Sequence, residues 1–279
     1  MSTENLLDQK THFAFGKNWL DYAEKIDEEK ISHAMDDLRR LSGQQRLDGK
    51  NFLDIGCGSG LHSLAALRLG ASSVHGVDID PDSVAAAKST LARFAPGASF
   101  DFKVCSVFDM TPGEFGSFDI VYSWGVLHHT GDMVRAITAA TALVKPGGEF
   151  HLALYKKTPF CGMWKVIKRW YSRSGSQAQK RAMGVYVFLQ RLIHRVKGSD
   201  FDAHVQDYGK RRGMNFYNDV HDWLGGYPYE SISPEECRTL LSGLGLTVER
   251  EFIQRGGRFL PGLMGSGCDE YAFRRIVSK

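Results

Sequence analysis

From Asn51 onward, short apolar runs alternate with stretches whose apolar residues recur every three or four positions. Phe52-Leu53-Asp54-Ile55 is apolar and closes on glycines, as a strand buried on both faces does. Leu61, Leu64, Ala65 and Leu67 then follow helical spacing. The alternation continues with predicted strands at Ser73–Val77, Phe100–Val104, Phe118–Ser123 and Glu149–Tyr155. Predicted helices lie after Pro81 and over Met133–Leu143. Strand and helix in turn predict an α/β fold: a Rossmann-like, doubly wound, mostly parallel sheet with right-handed crossovers. Upstream, Trp19, Tyr22, Ala23, Ile26, Ile31, Ala34, Met35, Leu38 and Leu41 give residues 13–47 a helical reading that Gly43 and Gly49 end.

Residues 156–235 break the rhythm. They hold two basic amphipathic segments, Gly162–Arg173 and Val185–Lys197, and an aromatic, glycine-rich stretch, Gly213–Glu230. The pattern then resumes with a helix over Pro234–Leu244, entered through Ser233 as N-cap with Glu236 three residues on. Strands at Leu246–Phe252 and Asp269–Arg274 bring the expected count to seven, the last antiparallel. The chain therefore divides into an N-terminal helical segment (1–50), an α/β core (51–155), an insertion (156–235) and a final helix and strands that complete the sheet (236–279).

The 279 residues are 43% hydrophobic, enough for one α/β core and an accessory region. Cys57, Cys105, Cys161, Cys237 and Cys268 are scattered and odd in number, which argues for free thiols in a reducing compartment. Met1–Lys10 has no signal-peptide core, and no apolar run reaches spanning length, so a cytoplasmic protein is expected. Contact with a membrane surface stays open. Net charge is +3, but it is unevenly placed. Residues 156–212 hold fourteen Lys or Arg against three Asp or Glu, a balance of +11 that leaves −8 elsewhere.

The strongest chemical signal is Leu53-Asp54-Ile55-Gly56-Cys57-Gly58-Ser59-Gly60, between a strand and a helix. Glycines there let the chain turn tightly and let a ligand approach the backbone. A second strand ends in Gly76-Val77-Asp78, where a carboxylate can take both hydroxyls of a ribose. The spacing is GxGxG rather than the GxGxxG of dinucleotide enzymes. With Asp54 upstream it resembles motif I of the class I methyltransferases that use S-adenosylmethionine (SAM). Phe118-Asp119-Ile120-Val121 with Ser123-Trp124-Gly125-Val126-Leu127-His128-His129 resembles their fourth-strand motif. Leu143-Val144-Lys145-Pro146-Gly147-Gly148 resembles the loop before their fifth strand. The resemblance covers residues 50–155 closely. Phe13–Trp19 and the stretch from Arg212-Gly213-Met214 to Glu230 look like a bacterial subgroup often labelled ubiquinone-type or glycan-cluster methyltransferases.

This resemblance implies SAM as cofactor, S-adenosylhomocysteine as its product, and methyl transfer as the activity. It implies that Asp54, Gly56, Cys57, Gly58 and Gly60 hold the methionine end and that Asp78 binds ribose. Ile79, Ser106 and Val107 would surround adenine, with Ser106 where the family usually has an acidic side chain. Ser123 and Trp124 would line the pocket, and Phe13, Phe15 and Trp19 would form a lid from the N-terminal segment.

A hydroxyl acceptor must lose a proton, so a base helps. His128 and His129 follow the fourth strand at the ligand-binding edge of such sheets. His221, beside Asp222, is a second candidate. Trp223, Tyr227, Tyr229 and Glu230 suit an acceptor pocket on a loop or, equally, a packed structural loop. No metal site is expected. The basic insertion is either a solvated face or a means of drawing in an anionic acceptor: lipid- or glycan-linked, or a phosphorylated metabolite. Contact with a membrane surface through 156–212 and helix pairing into a dimer are further readings. RNA ranks lower because no RNA-binding motif is recognisable. The expected function is methyl transfer to a small or lipid- or glycan-linked acceptor, at oxygen. An RNA or protein methyltransferase, and a non-catalytic SAM- or partner-binding protein on the same fold, stay open.

Overall fold

The computed structural model describes residues 16–212, 215–254 and 260–277. Seven strands form one sheet: β1 (Asn51–Ile55), β2 (Ser73–Asp78), β3 (Phe100–Val104), β4 (Phe118–Trp124), β5 (Val144–Tyr155), β6 (Leu246–Phe252) and β7 (Cys268–Arg275). Their order is β3-β2-β1-β4-β5-β7-β6. Neighbours among β1 to β5 pair parallel, and β7 runs antiparallel to both β5 and β6. The chain winds outward from β1 in both directions. The order therefore reverses between β1 and β4, and a crevice opens there at the carboxyl ends of the strands.

The helices are α1 (Gly16–Glu24), α2 (Glu28–Ser42), α3 (Leu61–Arg68), α4 (Pro81–Phe94), the single turn α5 (Pro112–Phe115), α6 (Met133–Ala142), α7 (Cys161–Ser172), α8 (Ser176–Val196), α9 (Phe201–Arg212), α10 (Phe216–Gly225) and α11 (Pro234–Gly243). One face of the sheet packs under α6 and α11 through Leu53, Val121, Ile137, Phe150, Leu241 and Phe273. The other packs under α2, α3 and α4 through Leu38, Phe52, Leu64, Val74, Leu91 and Ile120. A third cluster, with Trp164, Tyr171, Tyr186, Phe216, Leu224 and Tyr229, lies within the insertion.

Local chemistry accounts for the boundaries. Ser233 and Glu236 form the expected capping box at α11, with Pro234 in the first turn. The helical reading of 13–47 divides in two at Asp27, whose carboxylate accepts from the Lys30 N–H and caps α2. Phe13 and Phe15 lie outside the described residues, as do Gly213 and Met214. The second basic segment begins at Ser176, earlier than Val185. The glycine-rich stretch expected as a loop contains α10, because Phe216, Val220 and Leu224 share a buried face and Asn215 caps it. Among the described residues no helix is long and apolar enough to cross a membrane.

Candidate active site

The glycine loop between β1 and α3 is fixed by backbone contacts. The N–H groups of Gly56 and Cys57 both donate to the Val77 carbonyl, at 2.7 and 3.0 Å. Gly56 has φ 77°, and a Cβ there would stand 2.4 Å from Val126 Cγ2. A Cβ on Gly58 would reach 3.0 Å from the Trp19 ring, so α1 lays that indole on the loop. Gly60 serves a different end: it lets α3 approach Ala87 of α4.

Two carboxylates stand at the strand ends. Asp78 accepts from the Gly58 N–H (3.1 Å) and the Asp80 N–H (3.0 Å), and burial pushes it up to about 6. Asp54 accepts from Ser63 Oγ at 2.7 Å, and burial pushes it up to about 7. Ser106 is fully buried, and its hydroxyl accepts from the Phe108 N–H, capping a short turn beside Val107. Ser123 donates to the Ile55 carbonyl and ties β4 to β1.

Apart from Gly60, Ser63 and Ser123, these groups line one cleft of about 1020 Å³; Ser123, expected on the pocket, is instead fully buried behind it. It begins at Trp19, Asp54, Gly56, Cys57, Gly58, Asp78, Ile79, Ser106 and Val107, and passes Trp124. His62, in the first turn of α3, is a wall residue that the sequence did not single out. Its ring stacks on Trp124, with centroids 6.4 Å apart, and burial pushes it down to about 4. Beyond Trp124 the cleft continues between His129, Tyr155, Trp223 and Tyr227. It then reaches Tyr186, Tyr208, Phe216, Asp219 and Asp222 of the insertion.

The two adjacent histidines differ. His129 Nδ1 lies 2.7 Å from the Pro228 carbonyl, which can only accept. Neutral His129 therefore carries its proton on Nδ1, and Nε2 is the basic nitrogen. His128 is fully buried, and its Nδ1 already accepts from the Tyr155 N–H at 3.2 Å. Its ring packs 3.9 Å from that of Tyr155, and burial holds it well below the usual imidazole range. The expectation of His128 as base is thus corrected: it supports the wall and does not face the cleft.

His221 is corrected likewise. Its Nδ1 lies 2.6 Å from the Tyr171 hydroxyl, off the cleft. Neighbouring positions on a helix point about 100° apart, so Asp222 faces the cleft instead. It accepts from Asn18 Nδ2 of α1 at 2.6 Å, and burial pushes it up to about 7. Among the expected acceptor residues, Trp223 and Tyr227 line the cleft. Tyr229 stands behind the wall, its hydroxyl bonded to Ser266 and Cys161. Glu230 accepts from the Met133 N–H at the start of α6, a brace rather than a lining group.

Among the described side chains the basic insertion brings no lysine or arginine to this cleft. Among the described residues the one lysine or arginine on the lining is Lys30 of α2. Lys168, within a run that reads as a basic face, is buried under Trp223, its Nζ 3.7 Å from that ring centroid and bonded to the Trp223 carbonyl. Burial holds its ammonium well below the usual lysine range. The described lining thus offers no insertion cation to an anionic acceptor; its far end is aromatic, with the carboxylates of Asp219 and Asp222.

Residues 52–148 match the family model described as a methyltransferase domain. A ubiquinone biosynthesis O-methyltransferase of Xanthomonas euvesicatoria is 37% identical over 133 residues, 47% of this chain and 54% of that protein. The chain thus spans about half the length of the curated relatives it matches. Magnesium protoporphyrin IX methyltransferase from Synechocystis, solved with bound S-adenosylhomocysteine, superposes with a TM-score of 0.52 at 17% identity, over 90% of this chain and 86% of that one. PKMT2 from Rickettsia typhi superposes with a TM-score of 0.57 at 16% identity, over 87% of this chain and 52% of that one. At such identities the likeness shows the fold. Residues 52–148 are thus similar to a methyltransferase domain, and the fold around them is one that SAM-dependent methyltransferases share.

Proposed function

We propose that this chain transfers a methyl group from SAM to a hydroxyl of a small, largely apolar acceptor, with His129 Nε2 taking the hydroxyl proton. The observation that carries the reading is continuity. One cleft joins the glycine loop and Asp78 to an aromatic chamber, and His129 stands where the two meet.

The residues present fit SAM. Asp78 is held by two backbone N–H groups and offers its remaining lone pairs to ribose hydroxyls. Gly56 and Gly58 let Val126 and the Trp19 ring close against the loop. Asp54, through Ser63, fixes the start of α3 beneath the methionine end. Ile79, Ser106 and Val107 offer an apolar slot for adenine with one hydroxyl. SAM supplies an already activated methyl group, so the protein's work is alignment and proton removal. Pro228 orients His129, and Tyr155, Trp223 and Tyr227 hold an acceptor beside it. His129 Nε2 would take the hydroxyl proton as bound SAM methylates the acceptor oxygen. Aromatic walls, with no insertion cation among the described side chains, support a planar apolar acceptor over a polyanion.

The test is incubation of the pure chain with methyl-labelled SAM and a fractionated extract of its host. Label is expected in small apolar material and absent with the Asp78→Ala and His129→Gln variants. Label in RNA or protein instead would overturn the acceptor class. SAM binding without label in any fraction would favour a non-catalytic role.

A further inference from the structure

Two helices of the insertion each keep an apolar face that nothing among the described residues covers. α7 buries Trp164, Lys168 and Tyr171, while Met163, Val166 and Trp170 point to solvent. α8 buries Tyr186, while Val185, Phe188, Leu189, Leu192 and Val196 point outward. Spacings of three and four make each exposed set a single stripe. Exposure is 70% at Val166, 65% at Phe188 and 81% at Val196, so these side chains pack against little among the described residues. Eight of the eighteen large hydrophobics exposed among the described residues fall on these two helices, so the patch is not scatter.

The charge around the stripes has one sign. Residues 161–197 hold nine Lys or Arg and no Asp or Glu, and every one of the nine except Lys168 is exposed. We propose that α7 and α8 form a docking surface for an anionic phospholipid bilayer, with the stripes sunk among the headgroups and the flanking cations against lipid phosphates. An apolar stripe bordered by Lys and Arg is the pattern of a helix that lies in the interface. A second copy of the chain would bring like charge against like, with no acid in the segment to offset it. RNA would meet the cations, but the aliphatic stripes would gain nothing from a phosphate backbone.

The inner face of α8 gives Tyr186 and Gln190 to the cleft. Docking would then set the acceptor end of the cleft beside the bilayer and admit an acceptor dissolved in it, a step that rests on the proposed acceptor chamber. The docking itself does not.

The experiment is flotation of the full chain with two vesicle types, phosphatidylcholine alone and phosphatidylcholine with about a third phosphatidylglycerol. The chain is expected to float with the anionic vesicles, to release as salt rises, and to stay behind with the neutral ones. The variant Phe188→Glu with Leu192→Glu should partition roughly tenfold less or weaker still. Its melting temperature and SAM affinity should not change, because both side chains are exposed and neither lines the cleft. Equal binding to neutral vesicles, or none to either, overturns the proposal. So does a dimer in lipid-free buffer that the double variant dissolves, or an RNA complex that the anionic vesicles cannot displace. Vesicle binding with no methyl transfer would leave the docking intact and refute the chemistry, so the two readings fail separately.

Discussion

The cleft has two halves built in different ways. The cofactor half is made largely of backbone: strand ends, a glycine loop, and Asp78 held by two N–H groups, most of it between Asp54 and Val107. The acceptor half is made of side chains drawn from His129, Tyr155, α8, α9, α10 and the segment before β7. A backbone site demands particular residues at fixed offsets, since glycine alone accepts φ near +77° without strain. A side-chain site demands only that rings and acids converge in space, which many sequences achieve. The first kind is written in the order of residues and the second in how the chain packs.

The largest expected effect tests whether the halves do separate work. His129→Gln should lower kcat by about a thousandfold, within the range for loss of a general base, and leave SAM affinity within about twofold. Turnover with a defined acceptor and calorimetric titration of SAM would measure the two. His128→Gln should do something different: it removes the acceptor of the Tyr155 N–H from a fully buried site, at a cost of about 1–3 kcal/mol in stability. If His128→Gln kept its melting temperature and lost turnover, the roles given to the pair would be reversed.

Next in size is Gly56→Val. The substituent meets Val126 at 2.4 Å, on a backbone that β-branched residues avoid. SAM affinity should fall about a hundredfold or more, some 3 kcal/mol, as the loop moves off its place. The insertion's own core, around Trp164 and Tyr186, should keep its fluorescence and its protection from hydrogen exchange. Collapse of both would mean that the halves are one cooperative unit.

These effects follow the line between what the residue order reveals and what it conceals. All seven strands and the α11 capping box were legible, because buried parallel strands are continuous apolar runs and Ser-x-x-Glu before an apolar pattern has one meaning. Asp27-Glu28-Glu29 is also an N-terminal signal, overridden by the apolar period on either side of it. The stretch at 216–225 looked like a loop because its flanking glycines outweighed the spacing of Phe216, Val220 and Leu224. What sequence could not separate was His128 from His129, or the buried Lys168 from its exposed neighbours. Each pair differs only in direction from the backbone, which packing decides. The fate of the basic run is the same lesson on a larger scale: its sign was plain, but the side it faces was not.

A smaller effect sharpens the cofactor half through pH. Burial lifts Asp78 to about 6, and a ribose hydroxyl bonds to the ionised form. SAM affinity should be full above that pH and decline as pH falls through it, by up to about tenfold per unit. Asp78→Asn should bind about tenfold more weakly at neutral pH and show no such slope. A wild-type affinity that stays flat from neutral pH down to well below 6 would remove Asp78 from the ribose contact.

The smallest effect concerns the joint between the halves. Asn18, on the helix that lays Trp19 over the glycine loop, donates to Asp222, on the helix that walls the acceptor chamber. Burial lifts Asp222 to about 7, and the Asn18 bond opposes that lift, so Asn18→Ala should raise the carboxyl further. Loss of one such bond is worth about 1 kcal/mol, so SAM affinity should fall about fivefold. Asp222→Asn should cost a similar amount, and the double variant little more than either, if one contact transmits the effect. Additive losses would mean that each residue acts within its own half. No loss in either single variant would mean that the lid over the cofactor and the wall of the acceptor chamber close independently, and that the order in which the two ligands bind is not set by this contact.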